Sequence, residues 1–336
     1  MEKILIIAES FPSKKRPNYN GGVEVVVENL IEKFSADRKV FLLTQRNAKN
    51  DEELLSPAKI TRVGKVLQRT SPSFSRIVEF IFLEREILSR ALRIKPDKIV
   101  ATNHTNYLTG YFLSKIVKAK LILYWQDVLG FSWVRYFGIV GIFGLLSETL
   151  SRILPAENWA ISQTTKNKLG RSAVFVVPPV VFKKVDSLKG KPTIQKIHGQ
   201  ILMVSRLVNY KRVALGIRIF SEVVKKKTQS HLMIVGDGPK KKAVEKLVKK
   251  LRLENSVTLK SVVTQEELAN LYRKSEIFLH LSKIEGYCLV IQEAAGFGCK
   301  IVASYLPVLE ETTKNLNGVL LIKSDTDIPS ILIKIL

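Results

Sequence analysis

The sequence predicts an α/β protein of two domains, each a parallel β-sheet covered by helices on both faces. The chain has 336 residues, which suits two domains of about 150 residues each. Hydrophobic residues make up 46% of the chain, enough to fill two cores. Short apolar runs alternate with segments whose apolar residues recur at helical spacing. This alternation is typical of parallel sheets with crossover helices.

A polar segment, Lys183–Gln200, separates the two halves and is the predicted linker. It contains Gly190, Pro192 and Gly199, residue types that are common in turns and connecting segments. We therefore predict an N-terminal domain over residues 1–182, a linker over 183–200 and a C-terminal domain over 201–336.

The charge and cysteine content narrow the class of protein. With 54 basic and 30 acidic side chains the net charge is +24, which predicts a negatively charged partner such as nucleic acid, anionic lipid or a nucleotide diphosphate. Cys288 and Cys299 do not form the pattern of a disulfide framework or a metal site. A reducing cytoplasm is the expected location. The first apolar run, Ile4–Ala8, is too short for a signal peptide.

The N-terminal half contains a series of short apolar runs that we interpret as strands. An amphipathic helix, Val23–Phe34, follows the first run, and a longer amphipathic segment covers Arg76–Leu92. Ligands of parallel sheets bind at the carboxyl ends of strands, so the loops after these runs are candidate sites. The predicted strands are Lys3–Ala8, Lys39–Thr44, Asp97–Ala101, Leu121–Tyr124, Asn158–Ser162 and Ala173–Val177.

Two features of this half lie in such loops. Gly21 and Gly22 precede the first helix, and residues without side chains let backbone amides approach a ligand closely. Ordinary turns before helices also contain such pairs. His104 follows the strand Asp97–Ala101, where a histidine can contact a ligand, although lone histidines more often have structural roles.

The longest apolar stretch, Val128–Leu146, is nearly long enough to cross a membrane. It contains Arg135 and four glycines and lies between two predicted strands. We therefore predict a buried or interfacial helix and not a spanning one. Together with the basic amphipathic segment Arg76–Arg93, it is the predicted contact with an anionic membrane face.

The C-terminal half repeats the alternation of strand, loop and helix. Its predicted helices are Val213–Lys225, Lys240–Arg252 and Gln265–Lys274, and Thr264 and Glu267 have the spacing of a capping box at the start of the third. The predicted strands are Ile201–Ser205, His231–Val235, Val257–Leu259, Ile277–Leu281 and Lys300–Ser304.

Cations and glycines follow the first two of these strands. Arg206 and Lys211 come after the first, and a guanidinium can bind phosphate oxygens through two parallel bonds while an ammonium adds a point charge. A solvated basic face is the alternative in a chain this rich in lysine. Gly236 and Gly238 follow the second strand, in a loop that either contacts a nucleotide or only turns the chain.

The segment Ser282–Gly298 carries two glutamates around a predicted strand-to-helix corner. Glu285 lies in the corner and Glu293 lies inside the helix, which we expect to begin near Tyr287 or Cys288. The free amides of the first helical turn make a site for a phosphate. The loop can fold Glu285 towards a ligand to which Glu293 points from a fixed element.

Ser282, Glu285, Gly286, Glu293 and Gly298 resemble the E-x7-E signature of the retaining glycosyltransferases of family 4, the glycosyl transferases group 1. The resemblance implies the GT-B fold, with two Rossmann-like domains facing a cleft. It implies that the first domain binds the acceptor, that the second binds a nucleotide-sugar donor, and that a hexosyl group is transferred with retention of configuration. No cofactor and no metal ion are expected, and no Asp-x-Asp motif or histidine cluster points to one.

The resemblance also implies roles for single residues. Arg206 and Lys211 would stabilise the departing diphosphate. Glu285, with the amides of Gly286 and Tyr287, would position the sugar and the phosphate. Donor binding is further implied for Gly21, Gly22, Gly236, Gly238, Val263 and Glu293, the last through the ribose hydroxyls, and His104 corresponds to a histidine near the transferred sugar.

The chain differs from the family pattern at several positions. Gln126 stands where members often have the histidine of a His-Asp pair, and residues 178–182 read Pro-Pro-Val-Val-Phe instead of Pro-Asn-Gly-Val-Asp. Leu306-Pro307 replaces a Gly-Gly pair before Glu310. The final segment, Asp327–Leu336, is short for the helix that usually crosses back to the first domain, so a truncated end is expected.

Other functions stay open on the sequence. A nucleotide-sugar epimerase or a phosphorylase would use the same fold, and conversion of a free nucleotide sugar without an acceptor would favour the epimerase. A basic, non-enzymatic nucleic-acid-binding protein would use the charge directly, but no basic groove interleaved with aromatic residues is apparent. We expect a nucleotide-sugar donor, a glycan or lipid-linked acceptor, no nucleic acid, and a cytoplasmic protein in peripheral contact with the inner membrane face.

Overall fold

The computed structural model describes residues 1–14, 21–46, 56–66, 86–170, 174–180, 195–261 and 263–336. The chain divides into two compact units, Met1–Val180 and Val181–Leu336. Each unit has its own parallel sheet and its own apolar core, which confirms the predicted α/β class.

The sheet of the first unit has seven described strands. These are β1 Lys3–Ala8, β2 Lys39–Arg46, β3 Lys59–Val66, β4 Lys98–Ala101, β5 Lys120–Trp125, β6 Glu157–Ala160 and β7 Val174–Val176. Their spatial order is β3-β2-β1-β4-β5-β6-β7, and all neighbours pair in parallel. The chain therefore builds the sheet outward in one direction from β1 and then in the other direction from β4.

Helices connect these strands. Gly22–Ser35 shows how the sequence selects the buried face, because Val26, Leu30 and Phe34 recur at helical spacing and are all buried. The other described helices of this unit are 86–94, His104–Val117, Ser132–Phe137, Val140–Ile153 and Gln163–Leu169.

The second unit repeats the arrangement with six strands. These are β8 Ile197–Val204, β9 His231–Val235, β10 Val257–Lys260, β11 Ser275–His280, β12 Lys300–Ser304 and β13 Val319–Ile322. They pair in parallel in the order β10-β9-β8-β11-β12-β13. Apolar cores cover both faces of this sheet, one around Ile217 and Phe220 and the other around Ile291 and Leu309.

The helix Gln265–Lys274 of the second unit begins at the residue that the sequence predicted. Thr264 caps the helix Gln265–Lys274, because its hydroxyl accepts from the Glu267 amide at 3.1 Å while the Glu267 carboxylate accepts from the Thr264 amide at 2.6 Å. The capping box is therefore confirmed. The other helices are Val213–Lys226, Lys241–Lys250, Leu289–Gly296, Pro307–Thr313 and Ile328–Ile335, with short 3₁₀ turns at Asn209–Lys211 and Asp325–Asp327.

The start of the second unit is held by the ammonium of the half-buried Lys196. Lys196 donates from Nζ to the carbonyl of Ser275 at 2.8 Å and to that of Phe297 at 3.2 Å. These carbonyls follow the helices Gln265–Lys274 and Leu289–Gly296, whose carboxyl ends carry partial negative charge. One side chain thus caps two helices.

Several sequence-based boundaries were wrong. Of the predicted linker, residues 183–194 lie outside the described part of the chain, and β8 begins at Ile197 instead of Ile201. Strands β3 and β13 were not predicted. The final helix, Ile328–Ile335, packs against the core of the second unit, where Ile328 and Leu332 are fully buried.

The apolar stretch Val128–Leu146 is not one helix. It is divided between Ser132–Phe137 and Val140–Ile153, and the chain breaks at Gly138, whose φ of 62° ends the first helix. No helix in the described ranges is long and apolar enough to cross a membrane. Of the segment Arg76–Arg93, only the part from residue 86 onward is described, and it is helical.

Candidate active site

Reactive side chains of the second unit meet at the carboxyl ends of β8 and β11. These strands are neighbours at the point where the strand order reverses, which is where open parallel sheets bind ligands. The loop after β8 carries Arg206 and Lys211, and the loop after β11 carries Glu285. The fold therefore brings two distant parts of the predicted site to one edge of the sheet.

Lys211 and Glu285 form a buried ion pair between Nζ and Oε1, with side chains that are 16% and 9% exposed. Burial alone would raise the pKa of Glu285, but the Lys211 ammonium and a hydrogen bond from His280 outweigh it and lower this pKa to about 2. Burial alone would lower the pKa of Lys211, and the Glu285 carboxylate reverses this effect and raises it. Both groups are therefore charged at neutral pH.

Two further residues complete this group, which we call the Glu285 cluster: Lys211, His280, Glu285 and Cys288. His280 is the last residue of β11 and is buried, with Nε2 at 2.7 Å from Oε1 of Glu285. Cys288 lies just before the helix Leu289–Gly296, with Sγ at 3.3 Å from the same Nε2. Burial raises the pKa of the Cys288 thiol well above its usual value, and the Glu285 charge raises it further. The thiol is therefore protonated at neutral pH.

Three members of the cluster could in principle bind a metal ion, since ligand atoms of His280, Glu285 and Cys288 lie within 4.8 Å of one another. They fit a cation poorly because the Lys211 ammonium already contacts the Glu285 carboxylate. A protonated thiol is also a weak ligand. We assign no metal to the cluster, and metal-independent activity stays a prediction.

The loop containing Gly236 and Gly238 packs tightly against the loop that follows β8. The amide of Leu207 donates to the carbonyl of Asp237 at 2.8 Å. A Cβ atom at Gly236 would lie 1.8 Å from the carbonyl oxygen of Ser205, and one at Gly238 would lie 2.6 Å from that of Leu207. The close approach of the two loops therefore requires both glycines, and their predicted contact with a nucleotide stays a prediction.

Two arginines near this edge have opposite environments. Arg206 is exposed and forms no ion pair with any residue that the structure describes. Arg212, which the sequence did not single out, donates from Nε to the carbonyl of Leu281 at 2.6 Å and from one terminal nitrogen to Ser304 at 2.7 Å. Its guanidinium also contacts both oxygens of Asp325. Arg206 is available to a ligand, whereas Arg212 holds the loop after β8 to the ends of β11 and β12.

Glu293 lies inside the helix Leu289–Gly296, as predicted, and the helix begins one residue after the expected start. Its Oε2 accepts a hydrogen bond from the Tyr272 hydroxyl at 3.0 Å. Burial raises the pKa of Tyr272 well above its usual value, and the neighbouring Glu293 carboxylate contributes to this. The hydroxyl is therefore a permanent donor that orients Glu293.

The remaining predicted donor contacts lie around the same corner. Gly286 and Tyr287 are half-buried, and the Tyr287 carbonyl accepts from the Thr312 hydroxyl at 3.1 Å. Val263 packs against the apolar core on this face of the sheet. Binding of a donor by these residues stays a prediction.

Gly21 and Gly22 lie at the start of the first helix of the other unit. Gly22 is its first residue, and Gly21 directly precedes it in an extended conformation, with φ 175°. A Cβ atom at Gly21 would have no atom within 4 Å. Packing among the described residues therefore gives no reason for glycine at Gly21, and the predicted ligand contact stays open.

His104 begins the helix that follows β4 and pairs with an acid from the loop after β5. Its Nε2 lies 2.8 Å from Oδ1 of Asp127. The rings of Tyr107, Trp125 and Trp133 meet the imidazole edge to face, at 5.2, 5.7 and 5.4 Å between centroids. Its Nδ1 is buried without a hydrogen-bond partner among the described residues. The first unit therefore also places a polar pair at the carboxyl ends of neighbouring strands.

Glu148 organises the surroundings of this pair. It is 1% exposed and accepts from the amides of Leu129 and Gly130 at 2.9 and 3.0 Å and from the Trp133 indole at 2.9 Å. The Arg152 guanidinium also donates to Oε1 of Glu148, at 2.7 Å. It thereby fixes the loop after β5 to the helix Val140–Ile153. The signal for its role is a single acid within a long apolar segment, and for His280 it is a histidine within an apolar strand.

Two parallel sheets whose strand orders reverse in the same way define the class of protein as GT-B. The sucrose-phosphate synthase of Thermosynechococcus elongatus matches 100% of this chain and 90% of its own, with a TM-score of 0.78 and 15% identity. HepE of Anabaena, solved in complex with UDP-glucose, matches 99% of this chain and 89% of its own, with a TM-score of 0.69 and 17% identity. The predicted GT-B fold is therefore confirmed.

Residues 185–334 match the family described as glycosyl transferases group 1. This match confirms the resemblance that was seen in the sequence. CapJ of Staphylococcus aureus is 26% identical over 258 residues, which cover 71% of this chain and 63% of CapJ. One polypeptide of the human phosphatidylinositol N-acetylglucosaminyltransferase is 27% identical over 175 residues, 50% of this chain and 36% of that polypeptide. The chain thus matches less than two thirds of the length of either relative.

Proposed function

We propose that this protein transfers a sugar from a nucleotide-sugar donor to an acceptor hydroxyl, with retention of configuration. The observation that carries the proposal is the buried Lys211–Glu285 pair at the point where the strand order reverses, within a group 1 glycosyltransferase domain. The UDP-glucose bound to HepE supports a nucleotide sugar as donor. The name of the human relative supports a glycosyltransferase activity.

Two cations serve the leaving group in this proposal. Negative charge develops on the nucleotide diphosphate as the bond to the sugar breaks, and fixed cations stabilise that charge. Arg206 is exposed and can bind phosphate oxygens through two parallel bonds. Lys211 is held in place by Glu285 and keeps its proton, so its charge is permanent.

The glutamates orient the other parts of the donor. Glu285 positions the sugar, and the amides of Gly286 and Tyr287 position the phosphate. Glu293, oriented by the Tyr272 hydroxyl, accepts hydrogen bonds from the ribose hydroxyls. The chemistry needs no metal ion in this scheme because Arg206 and Lys211 supply the positive charge.

The first unit provides the acceptor side of the proposal. Asp127 is 37% exposed on its side chain and is oriented by His104, so its carboxylate can accept a proton or a hydrogen bond from a hydroxyl group. The acceptor that we propose is a glycan or a lipid-linked sugar. The human relative, named for a phosphatidylinositol acceptor, supports the lipid-linked alternative.

A ligand screen with matched variants tests the donor site. UDP, GDP, ADP and their sugar conjugates are compared by thermal shift, with and without magnesium. The proteins are the wild type, Arg206→Ala and, as a control, Arg218→Ala, which replaces an exposed arginine on a neighbouring helix. A ligand at a hundred times its dissociation constant stabilises by about 2.7 kcal/mol, a shift of several degrees. We expect one nucleotide series to stabilise the wild type and Arg218→Ala, and to stabilise Arg206→Ala less. No shift with any nucleotide would contradict the proposal, and sugar conversion without acceptor would indicate an epimerase.

We also propose that the protein binds an anionic membrane surface through the region around the helix Val140–Ile153. Seven large apolar side chains, which we call the apolar face, are 45% to 84% exposed there: Phe131, Ile139, Ile142, Phe143, Leu146, Leu150 and Ile153. Exposed apolar surface of this extent is typical of an interaction site. The only acid between residues 128 and 156 is the buried Glu148, and Arg135 is exposed among the apolar residues. This combination, with the net charge of +24, favours an anionic bilayer as the partner.

Sedimentation with vesicles tests the membrane contact. We expect the wild type to bind vesicles of phosphatidylglycerol and phosphatidylcholine at low salt, and to bind pure phosphatidylcholine less. Ile139→Glu should abolish binding, whereas Phe175→Glu, at a residue 59% exposed on β7, should not. A wild-type protein that stays in the supernatant with anionic vesicles would rule out the membrane contact. If the apolar face instead mediates self-association, the wild type should be a dimer and Ile139→Glu should be a monomer.

A further inference from the structure

His280 connects the rigid sheet to the loop that carries Glu285. It is the last residue of β11, is 3% exposed, and stacks on Phe278 with ring planes 12° apart. Its Nε2 reaches Oε1 of Glu285 across the corner at 2.7 Å. The histidine thus holds a loop side chain from a position that is fixed by strand pairing and by ring packing.

The chemistry of the contact determines the tautomer of the imidazole. The pKa of Glu285, about 2, makes its carboxylate ionised at neutral pH, and an ionised carboxylate only accepts hydrogen bonds. The proton therefore lies on Nε2, which donates to Oε1. The Cys288 thiol at 3.3 Å contacts the same edge of the ring but cannot be the donor to a protonated nitrogen.

The two oxygens of Glu285 are consequently not equivalent. Oε1 receives both the Lys211 ammonium and the His280 imidazole. No hydrogen bond reaches Oε2 from any residue in the described part of the chain. With Oε1 held by two donors from different parts of the sheet edge, the carboxylate cannot rotate freely, and it presents one oxygen in one direction.

We propose that His280 is a positioning residue which orients Glu285 so that Oε2 accepts a hydrogen bond from one hydroxyl of the donor sugar. This inference rests on the proposed function, because it takes the donor to be a nucleotide sugar. It assigns His280 to recognition of the sugar and not of the nucleotide. Removal of the Nε2 donor should therefore weaken binding of the nucleotide sugar and leave binding of the nucleotide diphosphate unchanged.

Two amide substitutions separate positioning from packing. Glutamine places its nitrogen about as far along the side chain as Nε2 of histidine, whereas asparagine ends near the position of Nδ1. Both substitutions put a neutral amide into the same buried space, so a purely structural role would make them similar. His280→Gln keeps a donor towards Glu285, and His280→Asn does not.

The experiment measures dissociation constants by calorimetry for UDP-glucose, GDP-mannose and ADP-glucose. The affinity for each sugar nucleotide is compared with the affinity for the corresponding nucleotide diphosphate, UDP, GDP or ADP. For the sugar nucleotide that the wild type binds, we expect His280→Gln to bind within about threefold, and His280→Asn about 10- to 100-fold more weakly, as for loss of a hydrogen bond to a charged group. Both variants should bind the diphosphate as the wild type does. In the acceptor reaction His280→Asn should lose its activity mainly through a raised KM for the donor.

A second histidine and glutamate pair provides the control. His198 in β8 lies 3.2 Å from Glu276 in β11, near the amino ends of these strands, and its side chain is 75% exposed. His198→Gln and His198→Asn should both bind the donor as the wild type does. Equal affinity of His280→Gln and His280→Asn for the sugar nucleotide, or equal losses for sugar nucleotide and diphosphate, would overturn the inference while leaving the proposed function intact. A wild type that binds none of the three sugar nucleotides would overturn both.

Discussion

Replacing Glu285 with glutamine should change how the stability of the second unit depends on pH. The carboxyl has a pKa of about 2 in the folded protein and 4.5 without its surroundings. This lowering of the pKa corresponds to about 3 kcal/mol of stabilisation at neutral pH. Because the folded pKa is the lower one, this stabilisation is fully present above about pH 5.5 and is lost as the pH falls towards 2. By pH 3 about 2 kcal/mol of it should be gone.

The structure offers a way to assign this loss to one unit. All three tryptophans, Trp125, Trp133 and Trp159, lie in the first unit, so their fluorescence follows its unfolding in urea. Circular dichroism follows the helix content of both units. An unfolding transition that is seen by circular dichroism but not by tryptophan fluorescence is therefore assigned to the second unit.

For Glu285→Gln we expect that second transition to be destabilised by about 3 kcal/mol at pH 7 and by only about 1 kcal/mol at pH 3, with the fluorescence transition unchanged. Glu245→Gln, at an exposed position on the helix Lys241–Lys250, should match the wild type at both pH values. A Glu285→Gln protein whose stability follows the wild-type pH dependence would refute the buried ion pair as a source of stability.

Three further changes test other parts of the structure. Gly236→Ala places a methyl group 1.8 Å from the carbonyl oxygen of Ser205, so the thermal midpoint of this variant should fall by many degrees. Gly21→Ala has open space around the new methyl group and should lower the midpoint far less. Glu148→Leu removes the acceptor for two amides and an indole, and should lower the stability of the first unit by about 3 kcal/mol or more in urea titrations followed by fluorescence. Thr264→Ala removes a capping box and should cost about 1 kcal/mol in the circular dichroism transition; an unchanged midpoint would contradict the role of the cap.

The parts of the fold that were predictable are those where local chemistry and burial agree. The helix Gln265–Lys274 has its cap, its acidic first turn and its apolar face in the sequence itself, and it begins and ends where predicted. The strands β1, β9 and β12 are continuous apolar runs, and their observed bounds are those of the prediction.

The errors occurred where tertiary contacts satisfy polar residues. In β3 the buried Arg62 donates to the backbone carbonyls of Phe11 and Pro12, partners that the local sequence does not reveal, so a lysine- and arginine-containing segment was not predicted as a strand. At the start of β8 the amide of Gly199 donates to Glu276. This contact between distant residues is not visible in the local sequence, so the glycine was assigned to the linker and not to a strand.

The site shows the same division. Lys211 and Glu285 were predicted through the family resemblance and are in direct contact across 74 positions of sequence. His280 was not predicted, because a histidine in an apolar strand is equally compatible with a purely structural hydrogen bond. His104 was predicted from its place after β4, but its pairing with Asp127 depends on the neighbouring strand β5.

Lys196 has a practical consequence for separating the two units. A protein piece that starts at Ile201, the predicted domain boundary, would lack both the first four residues of β8 and the ammonium that caps two helices. One of those helices, Leu289–Gly296, carries Glu293. Loss of the Lys196 contact at the carboxyl end of this helix would therefore weaken the element that positions Glu293. An isolated C-terminal unit intended for ligand binding therefore has to begin ahead of Lys196.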